Sequence, residues 1–94
     1  MRALFVGGTV DNSELDMDRA LPPARYPDEG GGQARYRLHH VGLHPRKDSE
    51  ADIAYAVYAA PDMADAEVER IADERDYARR FNATPAPPPQ AAPL

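Results

Sequence analysis

The chain has no cysteine. Disulfide staples and thiolate metal centres are therefore excluded. No apolar run approaches the roughly 18 residues that a membrane-spanning helix needs. The opening stretch carries one Arg and the four-residue apolar run ALFV, too short for the core of a secretory leader. Large aliphatic residues are scarce as well: Leu, Ile, Val and Phe together number 15 of 94, while Ala alone supplies 17. That share falls below the roughly 20% at which disorder begins to compete with folding. A net charge of −5 keeps self-repulsion moderate, so a fold is still expected. The expectation is one small domain with a thin core, of the kind that gains stability by docking onto a partner. The balance of 16 acids against 11 bases argues against nucleic acid as the main ligand.

What is present reads as short strands followed by a helix. Residues 2–6, RALFV, are a continuous apolar run and predict a buried strand. GGTVDN follows as a turn whose glycines supply positive φ. In residues 13–18, SELDMD, Leu15 and Met17 face one way and Glu14, Asp16 and Asp18 the other, as in a half-exposed strand. Together they predict a β-hairpin. Residues 19–33 hold three Pro and three Gly and predict a loop. Residues 34–43 alternate again, with Tyr36, Leu38 and His40 on one face and Arg35, Arg37 and His39 on the other. Residues 51–60 form the next strand, with Ile53, Tyr55 and Val57 opposed to Ala54, Ala56 and Tyr58. Across the polar HPRKDSE segment these two predict a second hairpin.

Residues 62–82 carry the helix signals. Asp62 is the expected N-cap, with Asp65 three residues on. Acids crowd the first turns, and Arg79 and Arg80 the last, so both ends complement the helix dipole. Ala64, Val68, Ile71, Ala78 and Phe81 make an apolar stripe that Arg75 interrupts. Arg70 with Glu74, and Asp76 with Arg80, stand one turn apart and in reach of each other. Asn82 and Pro85 end the helix. The Pro-rich residues 83–94 cannot continue it and favour polyproline II. The predicted fold class is α+β: a small antiparallel sheet of two β-hairpins, one C-terminal helix, and an extended Pro-rich C-terminal arm. The domain is expected over 1–82 and the arm over 83–94.

Signs of chemistry are few. Gly7 and Gly8 follow a strand, but no Gly-x-x-x-x-Gly-Lys-Ser/Thr pattern or immediate helix makes them a phosphate loop. His39, His40 and His44 are close in sequence. Adjacent residues on a regular strand point to opposite faces, and a metal wants three or four ligands, so no metal and no cofactor is expected. No nucleophile, base and acid stand out together, and the carboxylates fall mostly on the helix surface, so the chain is expected to be non-enzymatic. Tyr supplies five of the seven aromatic residues and suits interfaces. Tyr36 and Tyr55 are assigned to the core, and Tyr26, Tyr58 and Tyr77 to contacts. Arg35, Arg37, Arg46 and Lys47 make a basic strip that either meets an acidic partner or balances the chain's own acidic helix. The candidate partner-binding residues are Tyr26, Arg35, Arg37, Tyr58, Tyr77, Pro85, Pro87, Pro88, Pro89 and Leu94.

The opening MRALFVGGTVDNSELDMD resembles a group of short proteins of tailed phages and prophages of high-GC bacteria. These begin with a strand of the Lys/Arg-Ala-Leu-Phe-Val kind, then Gly-Gly-Pro-x-Asp-Gly and a second strand. Ala3 to Gly8 match, Thr9 stands where Pro is usual and Asn12 where Gly is usual. Members also tend to end in a Tyr-rich strand and a helix, as residues 54–81 do. The resemblance implies a phage origin and brings no catalytic residues with it. A small non-catalytic phage protein is expected to be a virion part or an inhibitor of a host protein. The leading expectation is a capsid decoration (cement) subunit whose arm contacts its neighbours. Its partners would be the major capsid protein or copies of itself, with no nucleic acid and no membrane, and its place the virion, assembled in the host cytoplasm. The alternative is an inhibitor of a host defence or replication protein. Its acidic helix, with seven acids against four bases over residues 62–82, would occupy a basic surface. A third reading takes Pro85 and Pro88 as a Pro-x-x-Pro ligand for an aromatic groove.

Overall fold

The computed structural model describes residues 1–19, 21–26, 36–44 and 53–89. Arg35, Arg46, Lys47 and Leu94 lie outside the described residues. Among the described residues the chain runs β1 (Arg2–Val6), β2 (Glu14–Asp16), β3 (Arg25–Tyr26), β4 (Tyr36–Leu43), β5 (Ile53–Ala59), α1 (Asp65–Glu74), α2 (Tyr77–Phe81) and β6 (Thr84–Ala86). The protein is α+β. Its strands form one sheet in the order β2-β1-β5-β4-β3, with β6 also on β4.

β1 pairs antiparallel with β2, and β4 with β5. The sheet is nevertheless mixed rather than antiparallel throughout. β1 and β5 join in parallel, from Arg2 opposite Tyr55 to Val6 opposite Ala59. Burial is the physical reason. RALFV and IAYAVYA are nearly uninterrupted apolar runs, and side by side at the sheet centre each is covered on both faces. Leu4, Val6, Val57, Tyr58 and Ala59 have no exposed surface at all.

On one face Leu4, Val6, Tyr55 and Val57 pack against Val68, Ala72 and Tyr77 of the helices. On the other, Ala3, Phe5, Met17, Tyr36, Val41, Ala56 and Tyr58 pack together. There the Phe5 ring lies 5.0 Å from Tyr36, 5.7 Å from Tyr58 and 5.3 Å from Tyr26. Tyr58 and Tyr77, expected as partner contacts, are thus core residues alongside Tyr36 and Tyr55. In a chain short of Leu and Ile the aromatics supply the area. A buried ring removes roughly 150–250 Å² from water, a gross gain of about 4–6 kcal/mol at about 25 cal/mol per Å². Ordering one residue costs about 1–3 kcal/mol, so burial wins. The hydroxyls keep partners: Tyr36 donates to Gly7 O at 2.8 Å and accepts the Val10 N–H at 3.0 Å, and Tyr58 donates to Pro23 O at 2.7 Å.

Two β-bulges reset the alternation along β4 and β5. Leu38 faces Tyr58 and His40 faces Val57, so β4 advances two residues while β5 advances one, and His39 is extra. Further along, Gly42 faces Tyr55 and Leu43 faces Ile53, so Ala54 is extra on β5. The first bulge takes His40 off the face of Tyr36 and Leu38. The second puts Ile53 on the face opposite Tyr55, against the strict alternation expected.

The expected single helix is two. α1 begins after Ala64 with no side-chain cap, and Asp62 lies in the turn before it rather than at the N-cap. Asp76 takes a left-handed conformation at φ 57, which ends one helix and opens the next, and Asn82 repeats it at φ 49 to close α2. The break aims Arg75 at the β1–β2 turn. Its Nη2 donates to both Asp11 carboxylate oxygens at 3.0 Å, and its Nη1 to the Tyr77 hydroxyl at 3.2 Å and Phe5 O at 3.4 Å. The residue that interrupts the apolar stripe is therefore a clasp. The Arg80 side chain reaches Glu14 on β2 at 2.8 Å, so a cross-element pair replaces the expected one with Asp76.

Asp11 also accepts the Gly7 N–H at 2.7 Å, in a turn where Gly7 and Gly8 have φ of 80° and 70°. The Gly7 N–H holds the Asp11 carboxyl below its ordinary value of 3.8, burial opposes this, and Arg75 adds to the lowering. A depressed carboxyl contributes stability that is present above the unfolded value and lost as pH falls below it. Urea unfolding at about pH 6 and about pH 3 is expected to show the native chain losing roughly 1 kcal/mol more than Asp11→Asn, the ceiling for a half-exposed pair. Equal losses would mean that the clasp holds nothing.

Candidate functional site at the junction of helix, sheet and C-terminal strand

The site is built on β4. One edge of this strand pairs with β5. The other edge is shared, with β3 taking Tyr36 and Arg37 and β6 taking Val41 to Leu43. The Pro-rich tail therefore begins as an edge strand of its own domain. Pro85 stands opposite Gly42 on the outermost strand, where a residue without an N–H is tolerated. Pro87 and Pro89 follow, both exposed, with Pro88 half-buried between them.

Between β4, β6 and the helices lies a cleft of about 590 Å³. His40 and Pro85 line it from the sheet, and Glu69, Asp73, Asp76 and Arg79 from the helical side. Its size falls within the range of small-ligand sites. His40, at the first bulge, is part of its lining. Because His39 is the extra residue, His39 and His40 turn toward α1 together, with ring centroids 5.0 Å apart. The expectation that these imidazoles diverge is overturned, because it assumed a regular strand.

Glu69, one turn into α1, meets both rings. Its Oε2 lies 2.5 Å from His39 Nε2 and 3.7 Å from His40 Nδ1. Asp65, one turn earlier, stands 3.6 Å from the other His39 nitrogen, Nδ1. Arg37 pairs with the same Asp65 at 3.0 Å and donates to Met63 O at 2.7 Å, fixing the start of α1 on the sheet. Among the described residues His40 Nδ1 has no hydrogen-bond partner. Burial pushes the His40 imidazole below its ordinary value of 6.5, opposed by the Glu69 carboxylate and aided by His39. The Tyr55 hydroxyl is pushed up, by burial first and Glu69 second. The cluster thus brings two imidazoles and one carboxylate together, with His40 and Glu69 in the lining of the cleft.

Of the residues singled out from sequence, Pro85 lies at this cleft. Arg37 lies beside the His39 cluster, as the partner of the chain's own acidic helix rather than as a free cation. Tyr26 is half-buried, its ring 6.1 Å from Tyr58. His39, His40 and Glu69 were not anticipated as a group. A signal for them exists. The apolar positions run Tyr36, Leu38, then Val41, Leu43, and this change of phase marks one extra residue between 38 and 41. The chain matches no protein-family model, no curated protein and no solved structure. No helix among the described residues is long and apolar enough to cross a membrane.

The edge pairing predicts a division within the tail. A chain ending at Ala83 lacks β6, uncovers the edge of β4 at Val41 to Leu43, and is expected to be about 1–2 kcal/mol less stable than one ending at Ala86. The chain ending at Ala86 should match the full chain in its urea midpoint. Equal midpoints for all three would show that β6 contributes nothing to the domain.

Proposed function

We propose that the chain is a non-catalytic subunit of a phage particle, a capsid decoration protein that attaches through the extended arm following β6. One observation carries the reading. Thr84–Ala86 is an edge strand, so the prolines after it leave the domain from a fixed point, with Pro87 and Pro89 exposed. A Pro-rich segment is stiff before it binds and loses little freedom on meeting a neighbour. An arm launched from a sheet edge therefore adds contact area at low ordering cost. Its partners are the major capsid protein or further copies of this chain. The resemblance of the opening strand and turn to short tailed-phage proteins supports the same setting.

The inhibitor reading draws on the acids of α1, some of which are paired within the chain. Arg37 meets Asp65 at 3.0 Å, Arg70 meets Glu67 at 2.5 Å and Glu74 at 2.6 Å, and His39 meets Glu69. Such pairs are weak individually, and Arg37 and Arg70 set two fixed cations against the five carboxylates of α1, so the helix stays net acidic and this remains the second reading.

Quantitative mass spectrometry of purified phage particles tests the proposal. The chain is expected in many copies per particle. Truncation after Ala86, which keeps β6, is expected to weaken attachment roughly tenfold, a loss of about 1.4 kcal/mol. Absence from particles, or an unchanged copy number after truncation, contradicts it.

A further inference from the structure

We infer that His39, His40 and Glu69 form a binding site for a divalent transition metal of the zinc type, which cross-links β4 to α1 where His40 and Glu69 border the cleft. The inference is independent of where the protein acts. It begins with the bulge. A regular strand would send His39 and His40 to opposite faces, and the extra residue turns both imidazoles toward one carboxylate. One ligand atom from each of the three residues lies within 4.8 Å of the other two.

Burial separates this group from a surface cluster. The side chains of His39 and His40 are each only 8% exposed. His40 Nδ1 points at Glu69 Oε2 from 3.7 Å, too far to hydrogen-bond, and has no other partner among the described residues. A buried imidazole nitrogen without a partner is costly, and a metal bond satisfies it. His39 is oriented for the same purpose. Asp65 stands 3.6 Å from Nδ1, on the far side of the ring from Nε2, where a small approach would place the carboxylate that commonly backs a ligating histidine.

The donor set selects the metal. Two imidazoles and one carboxylate, with no thiolate in the chain, suit zinc and its first-row neighbours and offer too little oxygen for calcium or magnesium. Tetrahedral zinc with bonds near 2.0–2.1 Å holds its ligand atoms roughly 3.3 Å apart. Seating it requires the His39–Glu69 contact of 2.5 Å to open and the 3.7 Å His40–Glu69 gap to close slightly. Glu69 is an exposed side chain on the helix surface, free to make that small adjustment. The cleft supplies room for a water as fourth ligand. The bond from sheet to helix gives a thin core the staple that a chain without cysteine cannot obtain from a disulfide.

The test uses the untagged full chain, freed of metal with EDTA and titrated with zinc chloride by calorimetry. One equivalent is expected to bind with micromolar or tighter affinity, and to raise the thermal midpoint as binding to the folded state must. Cobalt(II) in its place should show the visible absorption of a four- or five-coordinate site. Glu69→Gln keeps the helix and its hydrogen-bonding shape, and His39→Gln alters a side chain outside the apolar core. Each is expected to weaken zinc at least tenfold. His44→Gln, at the exposed end of β4, should bind as the native chain does. No saturable binding, native-like affinity in both Glu69→Gln and His39→Gln, or loss of binding in His44→Gln would each overturn the inference.

Discussion

Tyr55 lying flat over Gly42 is the contact on which the helical half of the molecule rests. A Cβ at position 42 would collide with the Tyr55 ring. With no side chain there, the ring covers β4 and becomes the surface on which α2 packs, with Phe81 at 5.2 Å and Tyr77 at 6.2 Å. The His40 ring abuts it at 6.2 Å. One glycine thus lets one aromatic join β4, β5 and α2. The same strand, with Gly42 opposite Pro85 of β6, receives the tail on its outer edge. The tail, the cleft and the helix converge on one short stretch of β4.

The sequence disclosed the elements better than their faces. Continuous apolar runs and period-two alternation suffice for β1, β4 and β5, and the 3–4 spacing from Val68 to Phe81 suffices for helix. What they do not encode is which strands become neighbours. The parallel pairing of β1 with β5 depends on two-sided burial, a property of the assembled sheet. Nor does a helical stripe reveal that Asp76 will turn left-handed. The Arg75–Asp11 contact that accompanies it joins residues 64 positions apart in the chain. Tyr58 and Tyr77 were misread for a related reason. A tyrosine looks amphipathic in isolation, and becomes core once Pro23 O or Arg75 satisfies its hydroxyl.

The site was legible only through a broken pattern. His39 and His40 are adjacent, which on a regular strand argues against a shared ligand. The phase change from Leu38 to Val41 is the trace of the bulge that makes the pair convergent. Glu69 gives no such trace, because an exposed helix carboxylate is ordinary until the fold sets it over two imidazoles. The charges read as a basic strip and an acidic helix are in part each other's partners, as Arg37 and Asp65 show. In the proposed reading the sheet edge and its prolines meet a protein neighbour, and in the further inference His39, His40 and Glu69 take a small ion.

Everything at the cleft depends on the bulge directing both imidazoles to the helix side of β4. The most direct measurement is a crystal structure of the chain grown with one equivalent of zinc, with an anomalous difference map at the zinc edge. The account predicts a single strong peak bounded by His39, His40 and Glu69, with both rings on the face that carries α1. A regular β4 with the two rings on opposite faces would contradict it, as would a peak at any other residues.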